Sequence, residues 1–209
     1  MKKNLIIIGG GGHARSILGL LHKNKLSKRI LGYSDNKESN LPIKYLGNDN
    51  VIIKKYKKND IEIILGIGIH LSIREKIIKK FKNYKFFTLI DKDAKIIKNA
   101  FVGKGTIIFP NANISTNVQV NEFCVIHNST TIDHDVKIDK NSYIGPGAVV
   151  CGNVIIGKNV LIGANSTLIQ DINITDNCRL GAGSVLIKSC KIKYKTLIGS
   201  PAKIYKKNG

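Results

Sequence analysis

Aliphatic residues recur every six positions through the second half of the chain. From Ile96 to Ile198, each sixth residue is Ile, Leu or Val. The members are Ile96, Val102, Ile108, Ile114, Val120, Ile126, Ile132, Ile138, Ile144, Val150, Ile156, Ile162, Leu168, Ile174, Leu180, Leu186, Ile192 and Ile198. This period fits neither an α-helix, with about 3.6 residues per turn, nor a single strand, with a period of about two. It favours short strands joined by tight corners, coiled as a β-solenoid with the aliphatic residues inside. No residue interrupts the period, so we expect regular coils.

The position four residues after each aliphatic residue is mostly small or β-branched. Cys124, Cys178 and Cys190 occupy it, and we expect them to fill interior space between coils. The chain has four cysteines and no CxxC spacing, so neither a disulfide framework nor a zinc knuckle is indicated. A metal site built from Cys124, His127, His134 and Cys151 is not expected either, because Cys124 points inward and His134 outward. We therefore expect no metal.

The hexads resemble those of the hexapeptide-repeat acyltransferases, in which three hexads form one triangular turn of a left-handed parallel β-helix. That resemblance implies about six turns, with each residue stacked on the one 18 positions later. The left-handed coil also follows from the resemblance alone, since parallel crossovers are right-handed in nearly all other folds.

The first half of the chain alternates strand and helix patterns. Strands are predicted over 5–8, 30–33, 61–66 and 86–90, with helices over 14–22 and 73–81. Gly9, Gly11 and Ala14 form a GxGxxA pattern, and Asp35 follows about twenty residues later, as in nucleotide-binding βαβ units. Two mononucleotide-binding halves need more chain, which argues against a nicotinamide oxidoreductase. We expect a Rossmann-like acceptor-binding domain over 1–90 and the β-helix domain over 91–209.

The GGGGHA turn followed by hexads resembles one group of sugar acetyltransferases. That group includes the UDP-4-amino-sugar N-acetyltransferase of the bacillosamine pathway and the sialic acid O-acetyltransferases, and its first domain binds the sugar acceptor. The resemblance assigns acceptor binding to Gly11, Gly12, His13, Asp35, Asn36 and Gly68. Independently, N–H groups at a helix N-terminus attract phosphate, and a carboxylate accepts hydrogen bonds from ribose or uracil. The alternative is a tight strand-to-helix turn with no ligand.

His134 is the candidate catalytic base among five histidines. It lies between Asp133 and Asp135, near a corner and pointing outward, where members of the resembled family carry a general base. An amine or hydroxyl that attacks a thioester must lose a proton, and imidazole titrates near neutral pH. Asp135 matches the family's supporting acid, although Asp133 stays open as an alternative. His127 is expected at the surface. Direct transfer in a ternary complex needs no acylated Ser or Cys.

The acetyl-CoA site is assigned from the coil corners and the C-terminal end. Its candidate residues are Tyr143, Gly152, Gly163, Ala164, Gly181, Ala182 and Lys203. The glycines and alanines would leave backbone amides open to a pantetheine arm. Tyr143 stands nine residues after His134, where some relatives have a second histidine. Lys203 ends a GSPAK stretch that matches the family's motif near the coenzyme A nucleotide; the alternative is a solvated basic end.

The net charge of +20 raises the question of nucleic acid, but its make-up argues against that partner. Only four of the 34 basic residues are arginine, the residue that base recognition favours. Residues 1–90 carry 19 basic and 6 acidic side chains, residues 100–186 carry 5 and 6, and residues 188–209 carry 7 and none. No apolar run is long enough to span a membrane or act as a signal peptide, so a cytoplasmic protein is expected.

Taken together, the resemblance implies acetyl transfer from acetyl-CoA to the 4-amino group of a UDP-4-amino-4,6-dideoxy sugar, in a cleft between subunits of a homotrimer as in similar proteins. O-acetylation of sialic acid or a related nonulosonate is the first alternative. The second is a non-catalytic β-solenoid scaffold that binds nucleotide sugars.

Overall fold

A computed structural model describes residues 3–205 of the chain. These residues form two compact units, the first ending at Thr88 and the second beginning at Leu89. The first unit contains β1 (Asn4–Ile8), α1 (Gly12–Lys23), a 3-10 turn (Ser27–Arg29), β2 (Ile30–Ser34), α2 (Asp49–Lys55), β3 (Ile61–Leu65), α3 (Leu71–Lys80) and β4 (Lys85–Phe86).

The first unit is built on a parallel sheet with the strand order β2-β1-β3-β4. Strands β1 and β3 lie at its centre, and their aliphatic residues are almost completely buried, as expected for a parallel sheet covered by helices. The chain leaves β1 towards β2 and then crosses back to β3, on the other side of β1. The carboxyl ends of β1 and β3 therefore flank a topological switch point, where ligands bind in open α/β sheets.

The structure departs from the sequence prediction at two places in this region. The short helix α2 was not expected, because its seven residues give too little periodicity. The strand expected over 86–90 is two strands of different units. Phe86 ends β4 in the first sheet, whereas Leu89 and Ile90 pair with Ile107 and Ile108 in the second unit.

The second unit is a coil of short parallel strands that winds about six times around a triangular core. The first face holds β5 (Leu89–Ile90), β8 (Ile107–Ile108), β11 (Val125–Ile126), β14 (Tyr143–Ile144), β17 (Leu161–Ile162), β20 (Arg179–Leu180) and β22 (Thr196–Ile198). The second face holds β6 (Lys95–Ile96), β9 (Asn113–Ile114), β12 (Thr131–Ile132), β15 (Val149–Val150), β18 (Thr167–Leu168) and β21 (Val185–Leu186). The third face holds β7 (Phe101–Val102), β10 (Gln119–Val120), β13 (Lys137–Ile138), β16 (Ile155–Ile156) and β19 (Asn173–Ile174).

Each corner from Gly105 to Gly183 turns through one residue in the left-handed region of φ. The non-glycine members from Asn111 to Asn177 have φ between 53° and 61°, and most are Asn or Asp. These residue types reach this conformation at low cost, because their short polar side chains hydrogen-bond locally. The six-residue period thus encodes both an inward aliphatic residue and a corner residue.

The aliphatic series forms the core that the sequence predicts, from Ile108 to Leu186, with side chains at most 1% exposed. The second interior position of the hexad, four residues later, holds Cys124, Cys178 and Cys190, and their burial in the core confirms their predicted packing role.

The prediction is wrong for the last two positions of the series, Ile192 and Ile198, which are exposed. Leu197 takes the inward position instead and pairs with Leu180, so the last coil is shorter than the repeat. Strand β23 (Lys203–Ile204) then pairs antiparallel to β22. A terminal coil has no following coil to stack on, so it is free to leave the register.

Candidate active site

The glycine loop of the first unit leads into α1 at the carboxyl edge of the sheet. Gly11 is the N-cap of α1 and offers no capping side chain, so backbone N–H groups remain available at this helix end. Gly11 and Gly12 are exposed and face open space. An anion is favoured here by the helix dipole and the available donors.

Asp35 holds this loop rather than standing free beside it. Its Oδ2 accepts a hydrogen bond from Gly10 N–H at 2.7 Å, and its Oδ1 accepts one from Asn36 N–H at 2.7 Å. Ser39 Oγ donates to the Gly10 carbonyl oxygen at 2.9 Å. Asp35 and Asn36 thus lie against the glycine loop, and the carboxylate orients the loop backbone.

The loop after β3 is the third part of the predicted acceptor site, after the glycine loop and Asp35. A Cβ on Gly68 would lie 3.3 Å from His13 Cβ and Cγ, so Gly68 packs against His13 on α1. Arg74 is fully buried and donates from Nη1 to the Ile67 carbonyl oxygen at 2.6 Å, which fixes this loop. All six predicted acceptor-binding residues therefore lie around the switch point of the first unit.

His134 projects from the corner of the second unit between β12 and β13. This corner and those stacked on it in neighbouring coils are called here the His134 corner (97–100, 115–118, 133–136 and 151–154). Its Nδ1 lies 2.8 Å from Asp135 Oδ2. A carboxylate is an acceptor only, so Nδ1 carries the proton and Nε2 presents its lone pair. Asp133 instead accepts a hydrogen bond from the backbone N–H of His134 at 2.7 Å. Asp135 is thus the carboxylate bonded to the ring.

Asp135 is itself oriented from the preceding coil. Asn117, 18 residues earlier, donates from Nδ2 to Asp135 Oδ1 at 3.1 Å, and Asn99 Nδ2 donates to Asn117 Oδ1 at 2.7 Å. The hydrogen bonds from His134 and Asn117 lower the pKa of Asp135. Sequence reasoning missed Asn117, although its spacing of one coil turn from Asp135 was a signal for this contact.

The surroundings of His134 stabilise its protonated form. Its pKa is raised above the ordinary value, first by the hydrogen bond to Asp135 and then by the negative charge of Asp133, with a further contribution from Asp171. An open groove of about 530 Å³ adjoins the ring. Its lining residues are Asn117, Gln119, His134, Asp135, Lys137, Asn153 and Asp171.

Five of the seven predicted acetyl-CoA residues are divided between two corners. Gly152 lies in the His134 corner of the next coil, and its N–H donates to no residue within 3–205. Gly163, Ala164, Gly181 and Ala182 lie in the corner between the first and second faces, called here the glycine corner (163–166 and 181–184).

The amides of the glycine corner are only partly open. Gly163 and Gly181 donate to the carbonyl oxygens of Leu180 and Leu197, both at 2.8 Å. Their amides are therefore used in coil stacking, contrary to the expectation that they are open. Within the described chain, the amides of Ala164 and Ala182 have no acceptor and remain available.

Tyr143 and Lys203 lie away from the His134 corner of the same chain. Tyr143 is on β14 of the first face and is largely buried. Lys203 is exposed on β23, opposite Ile198. One chain alone does not bring either residue to His134.

His127 is half-buried, whereas the sequence indicated surface exposure. Its ring stacks on Phe109, with centroids 4.3 Å apart and an interplanar angle of 5°, and lies 5.9 Å from the Tyr143 ring. Burial lowers the pKa of His127 despite a hydrogen bond with Asn128. Its spacing of 18 residues from Phe109 was the signal that sequence reasoning missed.

Separate parts of the chain match known protein-family models. Residues 4–81 match the model of the PglD N-terminal domain. Residues 135–170 match the bacterial transferase hexapeptide model of six repeats, and residues 153–188 match the hexapeptide repeat of succinyl-transferase. No curated protein matches the chain.

Several solved structures share the fold over the whole chain. The acetyltransferase domain of PglB from Neisseria gonorrhoeae FA1090, in complex with acetyl coenzyme A, is 24% identical, with a TM-score of 0.90 over 98% of this chain and 100% of that chain. PerB from Caulobacter crescentus, in complex with CoA and GDP-perosamine, is 21% identical, with a TM-score of 0.90 over 99% of each chain. WeeI from Acinetobacter baumannii AYE is 19% identical, with a TM-score of 0.87 over 98% and 100%.

The second unit is therefore a parallel β-solenoid whose residues 135–188 match hexapeptide-repeat models, and its coils are consistent with a left-handed β-helix. More narrowly, the chain combines a PglD N-terminal domain with transferase hexapeptide repeats, and this pair confirms the resemblance inferred from its sequence.

The described residues contain neither a membrane-spanning helix nor a group of metal ligands. Among the helices within 3–205, none has the length and apolar character that a membrane span needs. In the same residues, no three or more His, Cys, Asp or Glu side chains are grouped as metal ligands.

Proposed function

We propose that this protein is an enzyme that transfers the acetyl group of acetyl-CoA to the 4-amino group of a UDP-4-amino-4,6-dideoxy sugar. The observation that carries the proposal is the His134–Asp135 pair, with Nε2 open beside a groove. Similar folds that bind acetyl-CoA, or CoA with GDP-perosamine, support the classes of donor and acceptor.

The pair is suited to direct acyl transfer. As the acceptor nitrogen bonds to the thioester carbonyl carbon, His134 Nε2 takes the proton that the nitrogen loses. Asp135 stays ionised and stabilises the imidazolium through Nδ1–H. The carbon–sulfur bond then breaks, and the thiolate of CoA receives the proton from Nε2. The products are an N-acetyl sugar and CoA.

The cysteines do not favour a covalent intermediate. Cys151 lies in the next coil beyond Asp133, and both burial and the Asp133 charge raise the pKa of its thiol. A thiol with a raised pKa is a weaker nucleophile near neutral pH because less of it is thiolate. Cys124, Cys178 and Cys190 are buried in the core. This chemistry supports transfer without an acyl-enzyme.

The charge around His134 favours an amine acceptor over an acidic one. Asp133, Asp135 and Asp171 all raise the pKa of His134, so the local field is negative although the whole chain carries +20. Such a field attracts an ammonium group, which releases one proton to solvent before it attacks as the neutral amine, and it repels the carboxylate of a sialic acid or related nonulosonate. N-acetylation is therefore better supported than O-acetylation of those sugars.

The first unit would hold the nucleotide part of the acceptor. The α1 N-terminus at Gly11 and Gly12 suits a diphosphate. Asp35 bonds to the glycine loop and Gly68 packs on His13 of α1, so these two residues, with Asn36, would contact the base or ribose.

The distribution of donor-site residues supports a trimer. Gly152 lies in the His134 corner, but Ala164 and Ala182 lie in the glycine corner of the same chain. A threefold assembly would place the His134 corner of one subunit against another corner of its neighbour and so join the two sets. The cleft between subunits would then bind acetyl-CoA.

The test is thiol release from acetyl-CoA with a panel of acceptors, followed by NMR of the product. The panel contains UDP- and GDP-linked 4-amino sugars, sialic acid and a 4-hydroxy sugar nucleotide as the matched control. We expect turnover with a UDP-linked amine and an N-acetyl product. Turnover with hydroxyl acceptors alone would support O-acetylation, and none with any acceptor would support the scaffold alternative.

A further inference from the structure

Gly152 lies directly against the imidazole of His134. These residues are 18 positions apart, so they stack in consecutive coils. A Cβ added to Gly152 would lie 2.7 Å from both Cε1 and Nε2 of the ring and 3.3 Å from Cδ2. The ring edge formed by Cε1 and Nε2, which includes the proton-accepting nitrogen, therefore rests on a backbone without a side chain.

The two backbones are fixed relative to each other. Asn153 N–H donates to the His134 carbonyl oxygen at 2.9 Å, and the adjacent strands β12 and β15 pair in register. The His134 side chain is 54% exposed, so its outer side faces solvent. If a methyl group were placed at position 152, the imidazole would yield by rotating outward, because the coil backbone is held on both sides.

Other glycines of the second unit differ in what a side chain would meet. At Gly145 and Gly163 a Cβ would collide with backbone atoms of the next coil, at 2.8 Å and 2.4 Å from the nearest. Those two glycines are required by coil stacking. At Gly152 the three nearest atoms all belong to the His134 ring, and its φ lies outside the left-handed region.

We propose that Gly152 is a positioning residue: its missing side chain lets the His134 ring keep its bond to Asp135 while Nε2 stays open to substrate. The effect on catalysis rests on the proposed function. Gly152 then has a steric role in addition to its role as an amide donor to acetyl-CoA. Alanine at this position removes the ring from its place without removing any group that takes part in the reaction.

The first measurement is the rate of the Gly152→Ala enzyme. A displacement of the base of about 1 Å lowers kcat by about 10²-fold. The matched control is Gly19→Ala, because Gly19 is exposed on α1 and a Cβ there meets nothing within 4 Å. We expect the control to keep the wild-type kcat and to unfold at no lower temperature than the wild type, because alanine favours a helix over glycine, and we expect Gly152→Ala to keep the wild-type unfolding temperature.

The second measurement separates positioning from loss of CoA binding. In a His134→Ala background there is no ring to displace, so adding Gly152→Ala should leave the residual kcat unchanged. An equal loss of kcat in both backgrounds would overturn the proposal. If the Gly152→Ala single variant fails to fold but the double variant folds, the alanine collides with the His134 ring, as proposed. If the double variant also fails to fold, the proposal is overturned.

The third measurement needs no turnover and so stands apart from the proposed function. NMR titration of the His134 imidazole should give a pKa above the ordinary value of about 6.5 in the wild type and a lower pKa in Gly152→Ala, because the Asp135 bond is lost while the charges of Asp133 and Asp171 remain. Asp133, Asp135, Asp171 and Lys137 are the charged groups around the ring. An unchanged titration would contradict the proposal even if the enzymatic assignment holds.

Discussion

At His134, neighbouring side chains act on an imidazole that remains open to solvent. Asp135 holds Nδ1, and Asp133 adds negative charge while bonding to the backbone. Both raise the pKa of His134. A raised pKa makes the imidazole a stronger proton acceptor, but it also lowers the neutral fraction near pH 7.

Asp135→Asn should lower the rate and shift its pH dependence. Losing the carboxylate removes the largest cause of the raised His134 pKa, so that pKa falls. Because the base works in its neutral form, the acid limb of the kcat/KM profile should move to lower pH while the plateau drops at least about tenfold. Asp171→Asn is the control, with a smaller shift in the same direction. An acid limb that stays in place would show that Asp135 does not act on the base.

At this scale the family resemblance named His134 and Asp135, whereas the residues themselves left Asp133 open as the supporting acid. Asp133 and Asp135 are equally close to His134 along the chain. Only the left-handed backbone at Asp135, with φ of 60°, turns one of them towards Nδ1. His127 was misjudged because its burial depends on stacking with Phe109 in another coil.

At the scale of the elements, the corners carry ladders of polar side chains. Asn99, Asn117 and Asp135 form one ladder in the His134 corner, with each amide donating to the next coil. Asn141, Asn159 and Asn177 form a similar ladder in the corner that follows the third face. The first ladder ends on the carboxylate that orients the base.

Asn117→Gly tests whether that ladder supports catalysis. Glycine accepts the left-handed φ of 56° without strain, so the variant removes only the side chain. Loss of one hydrogen bond to Asp135 should lower kcat by up to about tenfold. Asn159→Gly removes a matched ladder residue far from His134 and should leave kcat unchanged. Equal effects of both variants on kcat would mean that the ladder is purely structural.

The inward aliphatic positions should dominate the stability of the second unit. Ile144 is completely buried in the core, and Ile144→Ala should lower the free energy of unfolding by about 2–5 kcal/mol. Ile97 is 51% exposed, and Ile97→Ala should cost less than about 1 kcal/mol. Urea denaturation at one fixed protein concentration measures both. Similar costs would contradict the assignment of the six-residue series to the core.

The repeat predicts these elements well because one short pattern specifies both core and corner. It fails at Ile192 and Ile198, where the last coil has no neighbour to impose the register. The short helix α2 was also missed, since a seven-residue segment shows little periodicity.

At the scale of the whole molecule, the proposed donor site is divided between two corners of one β-helix. The sequence predicted members of both sets but could not show that a single chain keeps them apart. Repeat spacing places residues around one coil and contains no information about contacts between subunits. The trimer therefore remains a proposal.

Mixed trimers test that proposal. His134→Ala removes the base, and Ala182→Trp places a bulky side chain at an exposed residue of the glycine corner. If each site joins both corners from different subunits, co-expression should restore about one quarter of the sites, although each variant alone is inactive. Doubly tagged protein isolates the mixed species. No activity in that species would mean that each site belongs to one subunit.

The most direct test of the account is the rate of acetyl transfer by His134→Ala, measured by thiol release with acetyl-CoA and a UDP-linked 4-amino sugar. Calorimetric titration with CoA serves as the control for binding, and circular dichroism for folding. We expect kcat to fall by about 10²–10⁴-fold, while CoA binding and the fold are preserved. A variant that binds CoA and turns over near the wild-type rate would contradict it.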